Sequence, residues 1–296
     1  MPIIAEYEYL KVKSMEEALK IKSEYGNKAK IIAGGTDLIP LLKENYIKPE
    51  ILIDLKGLKE IYEIKIKNNF IRIGSGVTFA DIIKSKTIKK YFPILWEASM
   101  TVASVGVRNR ATVAGNICSA VPCADSAGPL LVYNADLIVV SEKGERKIKI
   151  EDWFTGPKKT SLNENEILLF IDIPLLKDKN AGCYLKLSRY DGEDLAQGSF
   201  TILKTGEEYK ISFGSLGPTP KRAYKTEEYL KGKKINDNVI SHIQKIIVDE
   251  ISPITDIRAT KEYREHMAKV MIKRGIEKTI SRYYNGKPKY GEGMIE

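Results

Sequence analysis

Apolar and polar positions in the N-terminal part of the chain follow a pattern that predicts a small α/β unit. The segment Ser14-Met15-Glu16-Glu17 has the form of a capping box and predicts a helix that runs to about Tyr25. A short apolar run at 29–32 predicts a buried strand. A helix over 38–44 and a strand over 51–55 then complete a unit of the βαβ type.

Beyond this unit the pattern changes repeatedly between strand and helix periods. Alternating residues at 61–66 and 70–73, on either side of Asn68-Asn69, predict a hairpin. The other main predicted elements are helices at 79–85, 89–104 and 127–133, strands at 137–140, 166–173, 183–187, 196–203 and 209–216, and helices at 222–231, 238–251 and 260–284. The polar stretch 177–180 follows Pro174 and is the best candidate for a linker.

Composition limits the classes of protein that the chain can belong to. With 296 residues, 43% of them hydrophobic, it is long enough for about two domains of ~150 residues each. No apolar run approaches the ~20 residues of a membrane span, and the N-terminus lacks the pattern of a secretion signal. The net charge of +9 comes mostly from scattered lysines, which indicates a solvated surface rather than a nucleic-acid interface. Three cysteines, Cys118, Cys123 and Cys183, fit a reducing cytoplasm better than a disulfide framework.

A tight glycine turn follows the predicted strand at 29–32. Gly34 and Gly35 remove two side chains where the backbone bends, which permits positive φ and leaves peptide N–H groups bare. Thr36 and Asp37 add a hydroxyl and a carboxylate. A concave run of N–H donors suits an anionic diphosphate. From this segment alone, a plain turn without a ligand fits equally well.

A second small-residue segment, 111–117, is also predicted to be a turn. Thr112, Asn116 and Ser119 offer hydrogen-bonding groups there, and Asp125 could fix a polyol hydroxyl. Two such turns about eighty residues apart suit a long, folded-over dinucleotide better than a mononucleotide.

The third glycine segment, Gly74-Ser75-Gly76-Val77-Thr78, is not a Rossmann fingerprint. Phe79 stands where the last glycine is needed, and a hairpin rather than a βαβ strand precedes it. A loop with Val77 and Thr78 near a ligand is the interpretation that remains. No residue of the chain forms a clear catalytic acid, base, nucleophile or metal site, which fits a protein whose cofactor performs the chemistry.

These motifs together resemble the FAD-binding medium subunits of the molybdenum hydroxylases, in particular the separate-chain subunit of bacterial xanthine dehydrogenase. The matching stretches are 33–37, 107–116, 154–157, 166–168, 217–223 and 256–264. The resemblance implies an α+β fold, in which an FAD-binding domain of the vanillyl-alcohol-oxidase/MurB (PCMH) type is followed by a smaller α+β domain. The first domain would span 1–176, with subdomains at about 1–56 and 57–176, and the second 181–296.

The resemblance also implies which residues bind non-covalent FAD, whereas it implies no catalytic residue and no metal ligand in this chain. The expected cofactor residues are Lys30, Ile31, Ile32, Ala33, Gly34, Gly35, Thr36, Asp37, Thr112, Val113, Ala114, Gly115, Asn116, Asp125, Leu168 and Lys186. Ala114 departs from the family, which usually has two glycines at 114–115. We expect the added methyl to be tolerated only if Ala114 has ordinary φ/ψ and its Cβ points away from the phosphates.

The same resemblance implies that the chain works in a complex, a dimer of heterotrimers, with a large molybdopterin subunit and a small subunit that carries two [2Fe–2S] clusters. Electrons from a purine or similar substrate would reach FAD through the clusters and pass to NAD⁺ or another acceptor. Three alternatives stay open: the medium subunit of another molybdenum hydroxylase (CO, nicotinate or aldehyde dehydrogenase), a stand-alone FAD oxidoreductase, and a scaffold that has lost its cofactor.

Overall fold

The computed structural model describes residues 6–190 and 193–292. The outer ends of the two expected domains, 1–5 and 293–296, lie outside the described residues. The chain has the expected α+β architecture, with a parallel sheet, an antiparallel sheet and a second antiparallel sheet in chain order. Among the described residues, no helix combines the length and the apolar character that crossing a bilayer requires.

The first sheet is parallel, with strand order β1-β3-β2. Its strands are β1 (Glu8–Lys11), β2 (Ala29–Ile32) and β3 (Ile51–Asp54), and its helices are α1 (Met15–Tyr25) and α2 (Leu38–Lys43). Ser14 caps α1 by accepting a hydrogen bond from the Glu17 backbone N–H. The βαβ prediction is therefore confirmed, and β1 is an additional edge strand that the sequence pattern did not reveal.

The second sheet is antiparallel, with strand order β4-β5-β10-β6-β7. Its strands are β4 (Ile64–Lys67), β5 (Phe70–Gly74), β6 (Asp136–Ser141), β7 (Gly144–Lys149) and β10 (Ile167–Pro174), while β8 (Phe154–Gly156) and β9 (Lys159–Thr160) form a separate small hairpin. The helices between β5 and β6 are α3 (Phe79–Lys84), α4 (Lys86–Tyr91), α5 (Pro93–Met100), α6 (Val105–Arg108), α7 (Val113–Ser119) and α8 (Ala127–Val132). Apolar residues from this sheet and these helices share one core.

The third sheet is antiparallel, with strand order β11-β12-β13-β14. Its strands are β11 (Asn180–Leu187), β12 (Gly198–Thr205), β13 (Glu208–Gly214) and β14 (Lys221–Arg222), and its helices are α9 (Tyr224–Leu230), α10 (Asp237–Glu250) and α11 (Lys261–Asn285). A separate core forms between this sheet and its helices. The expected linker begins as predicted after β10, but Asn180 already belongs to β11.

Three local predictions are wrong. The helix predicted over 89–104 consists of α4 and α5, because Pro93 has no N–H and occupies the first position of a new helix. The hairpin strand predicted from Ile61 starts only at Ile64, since 59–62 form a 3₁₀ turn. The turn predicted at 111–117 is a helix from Val113 onward.

Candidate functional site

A cavity of about 160 Å³ lies where three segments of the chain meet. These segments are the turn after β2, the loop after β5, and the connection between α6 and α7, and the connection between β3 and β4 adds a fourth side. The lining residues are Ala33, Gly34, Lys56, Ile61, Tyr62, Gly76, Thr78, Asn109, Arg110 and Thr112. Because several lining residues come from the predicted glycine segments, the fold brings those segments to one place.

Gly34 and Gly35 serve different geometric needs in the first turn. A Cβ on Gly34 would lie 2.1 Å from the carbonyl oxygen of Arg110, so the two backbones are in direct contact there. Gly35 has φ +76°, a conformation that residues with a Cβ rarely adopt. The sequence predicted bare backbone and positive φ at this turn, and the structure assigns the first requirement to Gly34 and the second to Gly35.

Backbone donors are available on the β2 side of the cavity. Among the described residues, no backbone carbonyl accepts a hydrogen bond from the N–H groups of 33–36. All four residues are half-buried rather than fully solvated. Since half-buried N–H groups need partners, this turn has the donor capacity for a bound anion.

The opposite wall is built on Thr112. This residue pairs with Thr78 in an isolated antiparallel bridge, and its hydroxyl accepts a hydrogen bond from the Gly115 N–H at 2.9 Å. Thr112 therefore caps α7. Ala114 lies in this helix, and its side chain belongs to the core beneath, 4% exposed. Ala114 has ordinary helical φ/ψ because it lies within α7, and its methyl packs within the protein.

Two polar contacts connect α7 to neighbouring segments. The Ser119 hydroxyl donates to the Asp37 carboxylate, which joins the end of α7 to the first turn. The Asn116 side-chain oxygen accepts hydrogen bonds from the hydroxyl and N–H of Ser126 at 2.6 and 3.3 Å. Asn116 thus fixes the chain beside Asp125.

Asp125 is held by two residues of β11. Its carboxylate accepts a hydrogen bond from the Tyr184 hydroxyl at 2.6 Å, and its other oxygen lies 3.2 Å from Nζ of Lys186. Lys186 also donates to the Thr101 carbonyl at 2.9 Å. Burial raises the pKa of the Asp125 carboxyl, while the Lys186 charge and the Tyr184 hydroxyl oppose that rise. Two residues expected to bind the cofactor, Asp125 and Lys186, therefore form a buried pair.

The expected site residues separate into groups in the structure. Ala33, Gly34 and Thr112 line the cavity. Lys30, Ile31 and Ile32 belong to β2, and Leu168 lies in the sheet core, 5% exposed, away from the lining. Within 6–190 and 193–292, no three His, Cys, Asp or Glu side chains come close enough together to hold a metal ion.

Sequence reasoning missed several residues of this region. Lys56, Tyr62 and Arg110 line the cavity but carry no motif of their own. Tyr184 could have been found, since it precedes Lys186 by two positions and shares its face of the strand.

The cavity fits part of the FAD molecule that the sequence resemblance implies. Its volume is below the ~300–1,000 Å³ of typical small-molecule sites, so it can hold a segment such as the diphosphate rather than a whole dinucleotide. Free N–H groups, two cations and two threonines are suitable for that segment.

Two family models together match most of the chain. One, described as the FAD binding domain in molybdopterin dehydrogenase, matches residues 5–176. The other, described as the CO dehydrogenase flavoprotein C-terminal domain, matches residues 184–279.

Curated relatives are similar over nearly their whole length. The glyceraldehyde dehydrogenase medium chain of Sulfolobus acidocaldarius is 32% identical over 92% of this chain and 98% of its own. The putative xanthine dehydrogenase FAD-binding subunit of Escherichia coli K12 is 30% identical over 92% of this chain and 96% of its own. Among solved structures, a chain of carbon monoxide dehydrogenase from Hydrogenophaga pseudoflava superposes with a TM-score of 0.91 at 28% identity, covering 96% of this chain and 100% of that one.

Proposed function

Since the chain belongs to the family of FAD-binding medium subunits of molybdenum hydroxylases, we propose that it carries FAD and transfers electrons within a multi-subunit enzyme. Electrons would arrive from [2Fe–2S] clusters of a small partner subunit. They would leave to NAD⁺ or another acceptor. The substrate would be oxidised at molybdopterin on a large partner subunit, in a dimer of heterotrimers.

The observation that carries this proposal is the direct backbone contact between the two predicted binding segments. Gly34 lies against Arg110, and Ala33 and Gly34, whose N–H groups donate to no backbone carbonyl among the described residues, line the same cavity. Two segments distant in sequence therefore face one binding space. This arrangement supports a single ligand held between them.

In this proposal, both domains of the chain contribute to holding FAD. We assign 1–176 to FAD binding and 181–296 to the second domain, which is supported by the family matches and by the grouping of strands into separate sheets. Asp125 of the first domain pairs with Lys186 of the second, so both contribute to the region expected to hold the polyol and the rings. We place the complex in the cytoplasm, which suits three cysteines that form no disulfide.

FAD, when bound, supplies the ability to accept electrons one at a time and to release a pair of them. The protein's own residues hold it in place. The N–H groups at 33–37 and the Thr112–Asn116 segment would grip the diphosphate from opposite sides. The Asp125 carboxylate, positioned by Tyr184 and Lys186, would orient the polyol, and Leu168 would lie near the rings.

For the substrate of the complex we propose a purine, supported by the 30% identity to a xanthine dehydrogenase subunit. An aldehyde is the second candidate, supported by the 32% identity to a glyceraldehyde dehydrogenase chain. Co-purification of the partner subunits, followed by anaerobic flavin reduction with xanthine and with glyceraldehyde, distinguishes the two. Reoxidation of the reduced complex by NAD⁺ tests whether NAD⁺ is the electron acceptor.

The cofactor proposal is tested on the purified full-length chain. We expect a flavin absorption spectrum and release of FAD on acid denaturation, which indicates a non-covalent cofactor. Gly35→Leu should abolish flavin binding, because Gly35 has φ +76° and a Cβ would lie 3.3 Å from Ile39. Gly206→Leu is the matched control, since Gly206 has φ +58° but has open space around it in the β12–β13 turn.

Two outcomes would contradict the proposal. A wild-type chain that binds no FAD, and in which Gly35→Leu only lowers stability, would favour a scaffold. Rapid reduction of the flavin by a small substrate without partner subunits would favour a stand-alone oxidoreductase.

A further inference from the structure

Two cations line the cavity, and their charges are balanced differently. Nζ of Lys56 lies 2.9 Å from an oxygen of the Asp54 carboxylate, which also accepts a hydrogen bond from the Lys56 backbone N–H. Asp54 is 1% exposed and bonds the Tyr9 hydroxyl as well. The charge of Lys56 is therefore compensated within the protein.

Arg110 has no such compensation. Its neighbour Arg108 donates to the carbonyls of Val102 and Ala103 at 2.8 and 2.6 Å. Within the part of the chain that the structure describes, Arg110 has no carboxylate within 4.0 Å and donates no side-chain hydrogen bond. It is an exposed residue at the cavity mouth, with all five guanidinium N–H donors available.

The guanidinium of Arg110 lies within electrostatic reach of the cavity wall. Burial and the Asp54 charge raise the pKa of the Tyr62 phenol, and the positive charge of Arg110 opposes that rise. Tyr62 itself lines the cavity. Arg110 and Tyr62 thus line the same cavity, and Arg110 also contacts Gly34 through its backbone carbonyl.

An uncompensated guanidinium beside free N–H groups is suited to a phosphate-bearing ligand. Arginine binds phosphate oxygens through two parallel N–H donors, and such charge-assisted bonds are stronger than neutral ones. Sugar, base or isoalloxazine alone would leave this charge unused.

We propose that Arg110 binds the diphosphate of the dinucleotide and is the residue by which the site distinguishes FAD from a flavin without phosphate. The inference rests on the proposed function and adds a residue outside the expected cofactor set. Arg110 contributes the net positive charge of the cavity, while the turn at 33–36 contributes neutral donors.

The test measures flavin affinity of the full-length chain after bound flavin has been removed. Arg110→Gln should raise the Kd for FAD about tenfold, which corresponds to the loss of one charge-assisted hydrogen bond. The Kd for riboflavin should change less than about twofold. Arg110→Lys should recover part of the FAD affinity, because lysine restores the positive charge but not the two parallel N–H donors of the guanidinium. Lys65→Gln removes one exposed charge from β4, outside the cavity lining, and should leave both constants unchanged.

Salt dependence gives a second readout that a purely structural role would not alter. Raising NaCl from about 0.05 to 0.5 M should weaken FAD binding to the wild type more than to Arg110→Gln, since salt screens exposed charges.

An unchanged Kd for FAD in Arg110→Gln overturns the inference. The inference is also overturned if Arg110→Gln loses equal affinity for FAD and for riboflavin while its FAD binding keeps the salt dependence of the wild type. If the wild type itself binds no FAD, the proposed function fails first, whereas FAD binding that is equal in wild type and variant removes only the role of Arg110.

Discussion

At the scale of single residues, the cavity depends on the absence of one Cβ and on the burial of another. Gly34 leaves room for the Arg110 carbonyl, at a position where a methyl would overlap it. Ala114, by contrast, replaces a glycine that the family usually has, yet its methyl packs in the core below α7. A methyl therefore has space at position 114, whereas at position 34 it would overlap a backbone oxygen.

Gly34→Ala tests this contrast. A Cβ 2.1 Å from a backbone oxygen must push the two segments apart, so we expect an unfolding free energy lower by about 1–3 kcal/mol and the loss of most bound flavin. Urea unfolding and the flavin-to-protein absorbance ratio measure the two effects. Gly106→Ala on α6 is the control, because its Cβ would meet only Ser104 at 3.8 Å. Wild-type flavin content in Gly34→Ala would show that the contact is not required.

At the scale of elements, α7 shows how packing overrides local propensity. Glycine and asparagine within 113–119 disfavour a helix in isolation, which is why the sequence predicts a turn there. Val113, Ala114 and Ile117 nevertheless share one buried face, and Thr112 caps the first turn. Burial of that face supplies the stability that propensity lacks. The sequence marked 111–117 as a separate segment, but it did not reveal that the segment from Val113 onward is a helix.

The connection between β7 and the start of β10 is stabilised by a charged contact. Arg146 donates to both oxygens of Glu166 at 2.6 and 2.7 Å, and the Asn163 N–H donates to one of them at 2.8 Å. The Arg146 hydrogen bonds lower the pKa of the Glu166 carboxyl below its ordinary 4.5, against the effect of burial. A lowered folded-state pKa means that the charged form stabilises the fold above pH 4.5, and that this stability is lost as the pH falls through the folded-state pKa.

Glu166→Gln should therefore destabilise the protein at neutral pH more than in acid. We expect a loss of about 1 kcal/mol at pH 7, reduced because Arg146 is 42% exposed, and a smaller loss at about pH 3.5. Urea midpoints of wild type and variant at both pH values give the comparison. Glu145→Gln changes an exposed glutamate on β7 and should have little effect at either pH. An equal loss at both pH values would contradict the assigned role of the Glu166 charge.

At the scale of the whole molecule, buried charges join the two halves of the chain. Glu97 of α5 is 0% exposed and pairs with Arg282 of α11 at 2.7 and 2.9 Å. Arg282 also donates to the Gly182 carbonyl in β11 at 2.9 Å. This contact and the Asp125–Lys186 pair connect the same two halves, so the relative position of the candidate site residues depends on both.

Arg282→Met should be strongly destabilising, by about 3–5 kcal/mol, because it leaves the Glu97 carboxylate buried without its main partner. The double variant Glu97→Gln/Arg282→Met should lose less than Arg282→Met alone, since no buried charge remains unpaired. Lys273→Met on α11 breaks only an exposed pair with Glu277 and should cost no more than about 1 kcal/mol. Denaturant unfolding of the wild type, the two single variants and the double variant measures these differences in unfolding free energy. A double variant as unstable as Arg282→Met would argue that shape rather than charge holds this contact.

The sequence by itself determined the features that depend on neighbouring residues. The capped helix after Ser14, the strand at 29–32 and the glycine turn after it follow from local sterics and from the spacing of apolar positions. The motif order also identified the family, and with it the α+β class and the FAD cofactor.

Only the tertiary structure decided which distant side chains meet. Tyr184 and Lys186 reach Asp125 across 59 and 61 positions of sequence, and Arg282 reaches Glu97 across 185. Arg110 and Lys56 line one cavity for the same reason: their strands and helices are brought together by burial of apolar faces, which does not encode the partner of any one polar residue. Local patterns specify elements, whereas long-range packing specifies the site.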